Sequence, residues 1–154
     1  MSSLLPTLRP LLSVVFVLSL CSCEGLVSGR VKRHLLELGS MVEWTTGRNS
    51  YFYAFYGHWC GIGGKGNPVD AIDRCCMAHD KCYGVVSSNE ECRNVNVYKA
   101  NYRWFTLSIT RDIVCGSDND RCAGAICECD RQVALCFGQN QYNEAHAFDR
   151  LQEK

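Results

Sequence analysis

The sequence lacks an apolar run long enough to cross a bilayer. Its apolar stretch Leu11–Leu20 has the length of a signal-peptide core, about half of what a spanning helix needs. It also lacks a surplus of either charge. The whole chain carries 16 Lys and Arg against 16 Asp and Glu, and from His34 onward the count is 12 against 15. That excludes a nucleic-acid binder working by phosphate attraction and a strongly basic protein seeking anionic membranes. Internal repeats, low-complexity tracts and linkers are missing after Arg33, and no Asn-x-Ser/Thr glycosylation acceptor occurs. One domain is therefore expected.

The chain is rich in cysteine, with 12 residues, ten of them after Arg33. An even count in a small exported domain reads as five disulfides and a secreted, extracellular protein. The leader fits export. Arg9 flanks the apolar run, and Cys21 and Cys23 are small residues placed for cleavage, so 1–23 reads as a signal peptide. Residues 24–33 read as a propeptide ending Arg30-Val31-Lys32-Arg33, a processing site at paired basic residues. The remaining domain, 34–154, is large enough to bury a working core.

Leu35, Leu38 and Val42 recur at helical spacing, which predicts a first helix over His34–Trp44, stopped by Gly47. Trp44 has two readings, a membrane contact or a core residue. Tyr51–Tyr56 reads as irregular and glycine-rich Cys60–Asn67 as a loop. Asn67-Pro68 is expected to start a helix running to Tyr83, with Gly84 as its C′ residue. Ser87–Asn96 reads as a loop, and the aromatic and β-branched residues of Tyr98–Cys115 as an exposed β-hairpin. Asp118-Asn119-Asp120 is expected to cap a last long helix ending near Phe137, with Gly138 after it and a polar tail beyond.

Cys75 and Cys82 lie seven residues apart on one expected helix, and Cys129 and Cys136 seven apart on the other. Residues at that spacing share a helix face. Pairing Cys75 with Cys136 and Cys82 with Cys129 laces two antiparallel helices at two levels. The other pairing needs parallel helices, which the connection between them permits. His79 sits between Cys75 and Cys82, and Asp130 follows Cys129. A histidine oriented by an aspartate across a helix pair is a base suited to taking a proton from water.

The loop Trp59–Gly66 contains four glycines and can turn its carbonyls inward. Calcium takes oxygen ligands, and Asp80 is the nearby carboxylate. A cation beside His79 could hold an ester carbonyl and stabilise the oxyanion. Gly61, Gly63 and Gly66 also match G-x-G-x-x-G, but no apolar strand precedes them and Asn-Pro follows, which argues against a dinucleotide site. Zinc is disfavoured by the adjacent Cys75-Cys76 and the export signal.

The run Asp73-Arg74-Cys75-Cys76-Met77-Ala78-His79-Asp80-Lys81-Cys82-Tyr83 closely resembles the active-site helix of secreted phospholipases A2. Tyr56–Gly66 resembles that family's calcium loop, and Cys127-Glu128-Cys129-Asp130 its second active-site helix. The resemblance spans about 34–143, and Leu-Leu-Glu-Leu after paired basic residues looks most like the group X branch. It implies a mainly α, disulfide-rich fold with two long antiparallel helices, an N-terminal helix, a calcium loop and a small β-hairpin. It implies hydrolysis of the sn-2 ester of glycerophospholipids with one calcium ion per domain. His79 would activate water and Asp130 orient His79, while Tyr83 and Tyr102 hydrogen-bond Asp130. Calcium would rest on the carbonyls of Trp59, Gly61 and Gly63 and on Asp80, with the Gly61 N–H at the oxyanion. Leu35 and Leu38 would line the acyl channel. The other implied bridges are Cys60–Cys76, Cys92–Cys122 and Cys115–Cys127. The implied partner of this monomer is a phospholipid membrane surface, and a cell-surface receptor is a further candidate.

The chain departs from the family pattern at His58, where most members carry Cys, and the matching C-terminal Cys is absent before Lys154. Two further family cysteines are missing near Trp44 and Thr106, so whole pairs are lost and no odd thiol remains. A second function class is a phospholipase-like ligand for a receptor or channel, or a matrix protein. It is set aside because such relatives usually damage the catalytic set, whereas His79, Asp80 and Asp130 are intact.

Overall fold

Two antiparallel helices, α2 (Ala71–Ser88) and α3 (Arg121–Gly138), carry the domain. The structure is a computed structural model that describes residues 28–29 and 35–152. The expected signal peptide, the processing residues Arg30, Lys32 and Arg33, and the expected new N-terminus His34 lie outside the described residues. Asp120 caps α3, its side chain accepting from the Ala123 N–H at 2.8 Å. The buried face of α3 then recurs at Ile126, Cys129, Asp130, Val133 and Phe137, the spacing of a single helical stripe. Cys75–Cys136 and Cys82–Cys129 lace α2 to α3 at two levels. Cys60–Cys76 ties the glycine loop to α2, Cys92–Cys122 ties the segment after α2 to α3, and Cys115–Cys127 ties the hairpin to α3. Each bridge stabilises by about 2–4 kcal/mol, chiefly by constraining the unfolded chain.

The first helix, α1 (Leu35–Thr46), packs on α3. Met41 and Val42 are buried in the core, and Trp44 packs against it while half-buried. Gly47, at φ 68°, ends α1 by donating its N–H to the Glu43 carbonyl. The aromatic segment forms a 3-10 turn at Ser50–Tyr53, where the Tyr53 ring stacks on Phe137 at 4.4 Å.

Four boundaries differ from expectation for local reasons. Helix α2 starts at Ala71 because Asp70, not Asn67, supplies the capping oxygen, accepting from the Asp73 N–H at 2.9 Å. It runs through Gly84 to Ser88 because Val86 beyond that glycine is buried and holds the last turn on the core. Gly138 lies inside α3, where it permits close packing instead of capping: a Cβ there would lie 3.1 Å from Thr45. The hairpin is shorter than Tyr98–Cys115, with strands β2 (Trp104–Leu107) and β3 (Asp112–Cys115). It is also less exposed than expected, since Tyr102, Trp104 and Ile113 point into the core. The two-residue strand β1 (Ser28–Gly29) pairs antiparallel with the outer edge of β2. The polar tail carries a 3-10 turn at Glu144–His146 and the short helix α4 (Asp149–Gln152). Among the described residues no helix is long and apolar enough to cross a membrane.

Candidate active site

His79 and Asp130 face each other because the disulfides fix helix rotation on both sides. His79 lies three residues before Cys82 and Asp130 one residue after its partner Cys129. His79 Nε2 is 2.7 Å from Asp130 Oδ1. The Tyr83 hydroxyl, one turn after His79, donates to the same oxygen at 2.6 Å, and the Tyr102 hydroxyl donates to Asp130 Oδ2. Asp130 is buried at 3% exposure, so its charge is held by these three partners in place of water. Burial first, then the Asp130 charge, push the Tyr83 and Tyr102 phenols far above their ordinary value. Both therefore remain donors throughout the working pH range. The ring of Tyr83 also rests against that of His79, centroids 4.2 Å apart.

His79 and Asp80 both line a cavity of about 660 Å³. Its walls include Leu38, Val42, Tyr53, Val133 and Phe137, and glycine-loop residues Trp59, Gly61 and Ile62. Leu38, expected in the acyl channel, lines this cavity. Leu35 opens α1, and its side chain lies outside the described residues.

The glycine loop is built around open backbone. Gly61, Gly63 and Gly66 have φ of 108°, 80° and 84°, the left-handed region that favours glycine. Gly61 has a second reason to be glycine, since a Cβ would lie 2.5 Å from the Ala54 carbonyl oxygen. Burial raises the Asp80 carboxyl above its ordinary value, opposed by the charges of His79 and Arg150 and by the Gly64 N–H. Among the described residues no three His, Cys, Asp or Glu side chains form a metal cluster. A cation at this loop would instead rest on one carboxylate and on carbonyls. Among the described residues no hydrogen bond ends on the carbonyls of Trp59, Gly61 or Gly63. The donors on hand fit a hard cation that prefers oxygen.

Two residues missed by sequence reasoning hold this loop. Asp73, fully buried, accepts from the N–H groups of Trp59 (2.7 Å), His58 (3.0 Å) and Val69 (3.0 Å). A signal for it existed: Asp73 precedes Cys76 by three residues and so shares the helix face tethered to the loop. Arg150 of α4 donates through Nη1 to the His58 carbonyl and through Nη2 to the Ile62 carbonyl, at 2.8 and 2.7 Å. No local signal marks it, because 88 residues separate it from Ile62.

A histidine fixed by a buried aspartate on the wall of a largely apolar cavity suits a base acting beside an apolar substrate. Comparison with known proteins makes the class specific. A sequence model described as Phospholipase A2 matches residues 35–147. Acidic phospholipase A2 MVL-PLA2 of Macrovipera lebetina transmediterranea is 44% identical over 111 residues, 71% of this chain and 74% of its own length. Acidic phospholipase A2 PLA-2 of Eristicophis macmahoni is 40% identical over 123 residues, covering 78% and 94%. An acidic phospholipase A2 of Lachesis stenophrys is 43% identical over 108 residues, covering 70% and 81%. The chain belongs to the phospholipase A2 family and is a phospholipid-hydrolysing enzyme.

Proposed function

We propose that the chain is a secreted, calcium-dependent phospholipase A2 that cleaves the sn-2 ester of glycerophospholipids at a membrane surface, with the His79–Asp130 pair activating water. The observation that carries this reading is the 2.7 Å contact of His79 Nε2 with Asp130. With Nε2 so engaged, Nδ1 is the ring nitrogen left to take a proton from water on the cavity side. Asp130, held by the two tyrosine hydroxyls, orients the ring and balances the imidazolium that forms when His79 takes that proton.

The carbonyls of Trp59, Gly61 and Gly63 and the carboxylate of Asp80 would hold calcium, and Gly61 N–H would face the oxyanion. When bound, the ion supplies charge that polarises the ester carbonyl. The acyl chain lies against Leu38, Val42, Val133 and Phe137, which exclude water from the reacting ester.

Membrane docking rests on exposed apolar residues at the cavity mouth. Tyr51, Ile62 and Leu151 line the cavity yet are 60%, 74% and 49% exposed. Leu36 on α1 is also exposed. These side chains fit insertion into a bilayer interface without a basic patch. Neutral phosphatidylcholine surfaces are therefore expected to be hydrolysed well, and a steep requirement for anionic lipid would contradict this. The enzyme acts as a monomer. It is made with the signal peptide 1–23 and the propeptide 24–33, and cleavage after Arg33 releases activity. The Arg33→Ala precursor, verified uncut, should be much less active on vesicles than the chain starting at His34.

His79→Gln and Asp130→Asn test the water-activation step. Both should keep the far-ultraviolet circular dichroism of the parent while fatty-acid release falls by roughly 10²–10⁴-fold. Near-normal release by a folded His79→Gln protein would refute it.

A further inference from the structure

We propose that Arg150 is a positioning residue for the reaction: a guanidinium clamp, reaching from the C-terminal helix, that holds the glycine loop in its cation-binding shape. The proposal rests on the reading above that this loop binds calcium.

The tail is laid along the segment that leads into the loop. The Tyr142 hydroxyl donates to the Phe52 carbonyl at 2.9 Å, the Gly57 N–H to the His146 carbonyl at 3.0 Å, and the Arg150 N–H to the Phe55 carbonyl at 3.4 Å. These contacts place Arg150 where its planar fork spans two loop carbonyls, those of His58 and Ile62. Arginine suits this task because its donors diverge from one rigid plane.

The choice of carbonyls carries the argument. Arg150 takes those of residues 58 and 62, whereas the carbonyls of 59, 61 and 63 accept no hydrogen bond among the described residues. A guanidinium that merely filled the cation site would bond the carbonyls meant for the cation. This one bonds the carbonyl just before them, at 58, and the one between the last two, at 62, and among the described residues leaves those of 59, 61 and 63 open. The loop needs such a fastening, because its positive-φ glycines cost conformational entropy when fixed. Asp73 holds the entry of the loop through the N–H groups of residues 58 and 59. Arg150 reaches its middle at Ile62, beside the Gly64 N–H that faces Asp80 and the Lys65 N–H that donates to the His58 carbonyl.

A positive charge beside a cation site also repels the cation, so the two roles oppose each other in sign. A clamp raises calcium affinity, and a competitor lowers it. The test uses the folded, disulfide-intact protein and two variants, Arg150→Gln and Arg150→Lys. Hydrogen exchange of the loop amides 58–66 is measured in EGTA, and calcium affinity by calorimetry. Near-ultraviolet circular dichroism and the melting temperature in EGTA check that the five-disulfide core is unchanged. The clamp predicts that loop exchange in Arg150→Gln speeds up about tenfold or more and that the calcium Kd rises by a similar factor. Arg150→Lys keeps the charge but cannot fork across two carbonyls, so it should show most of the same loss.

Unchanged loop exchange in Arg150→Gln, tighter calcium binding by that variant, or full rescue by Arg150→Lys would each overturn the clamp. Because exchange is read without calcium, a wild-type protein that bound no calcium would refute the cation reading while the clamp is still decided by the exchange data.

Discussion

Replacing Asp73 by Asn removes one charge and one acceptor from the base of the glycine loop while keeping the side-chain shape. In the native arrangement Oδ1 accepts from the Trp59 N–H, and Oδ2 from the N–H groups of His58 and Val69. An asparagine has one acceptor oxygen. Its better orientation places that oxygen at the Oδ2 position and keeps two bonds, leaving an NH₂ group facing the Trp59 N–H. The loss is then one charge-assisted hydrogen bond, about 1.5–3 kcal/mol, plus an unsatisfied buried N–H, about 1–3 kcal/mol. A total of about 3 kcal/mol or more follows. The Cys60–Cys76 bridge keeps the loop near α2, so the strain can be relieved by local opening without global unfolding. An opening disfavoured before and permitted now would raise the calcium Kd by about a hundredfold, at 1.4 kcal/mol per decade. Calcium calorimetry and urea unfolding in EGTA read the two effects. An Asp73→Asn protein that binds calcium within about twofold of the parent and unfolds within about 0.5 kcal/mol of it would refute the reasoning.

Other outcomes follow from the same geometry. Asp80→Lys should abolish hydrolysis with the fold kept, checked by activity and circular dichroism together. Gly57→Ala should lower stability by about 1–3 kcal/mol, because Gly57 has φ 56° and an added Cβ would lie 2.5 Å from Asp73 Cγ; thermal unfolding reads it. Burial raises the Asp80 carboxyl above its ordinary value, so the metal-free folded state holds that proton more tightly than the unfolded chain. Its stability therefore falls as pH rises from the ordinary carboxylate range through the raised value. Asp80→Asn removes that loss, so in EGTA it should be more stable than the parent at neutral pH and lose its advantage in acid. An advantage that grows on acidification would contradict the sign.

The helices were legible in the sequence because both the apolar residues and the cysteines recur at helical spacing. The pair spacings of Cys75 with Cys82 and Cys129 with Cys136 already suited two laced helices, and the structure joins them in the antiparallel sense. Helix ends were less legible. Glycine at 84 and 138 reads as a stop, but both positions lie inside helices whose next contacts come from elsewhere in the fold, Val86 on the core and Thr45 against Gly138. The candidate residues His79 and Asp130 could be singled out from their place beside bridged cysteines, and the structure brings them within 2.7 Å of each other. Asp73 was harder, since its partners are backbone N–H groups that carry no side-chain signature. Arg150 could not be found, because a tail contact across 88 residues leaves no periodicity or spacing to read.

The most direct test of the central claim is fatty-acid release from phosphatidylcholine vesicles labelled at the sn-2 position, by the protein starting at His34, with calcium and with excess EGTA. The account predicts release of the sn-2 chain with calcium and near-complete loss of release in EGTA, restored when calcium is added back. Sustained release in EGTA, or release from the sn-1 position instead, would contradict it.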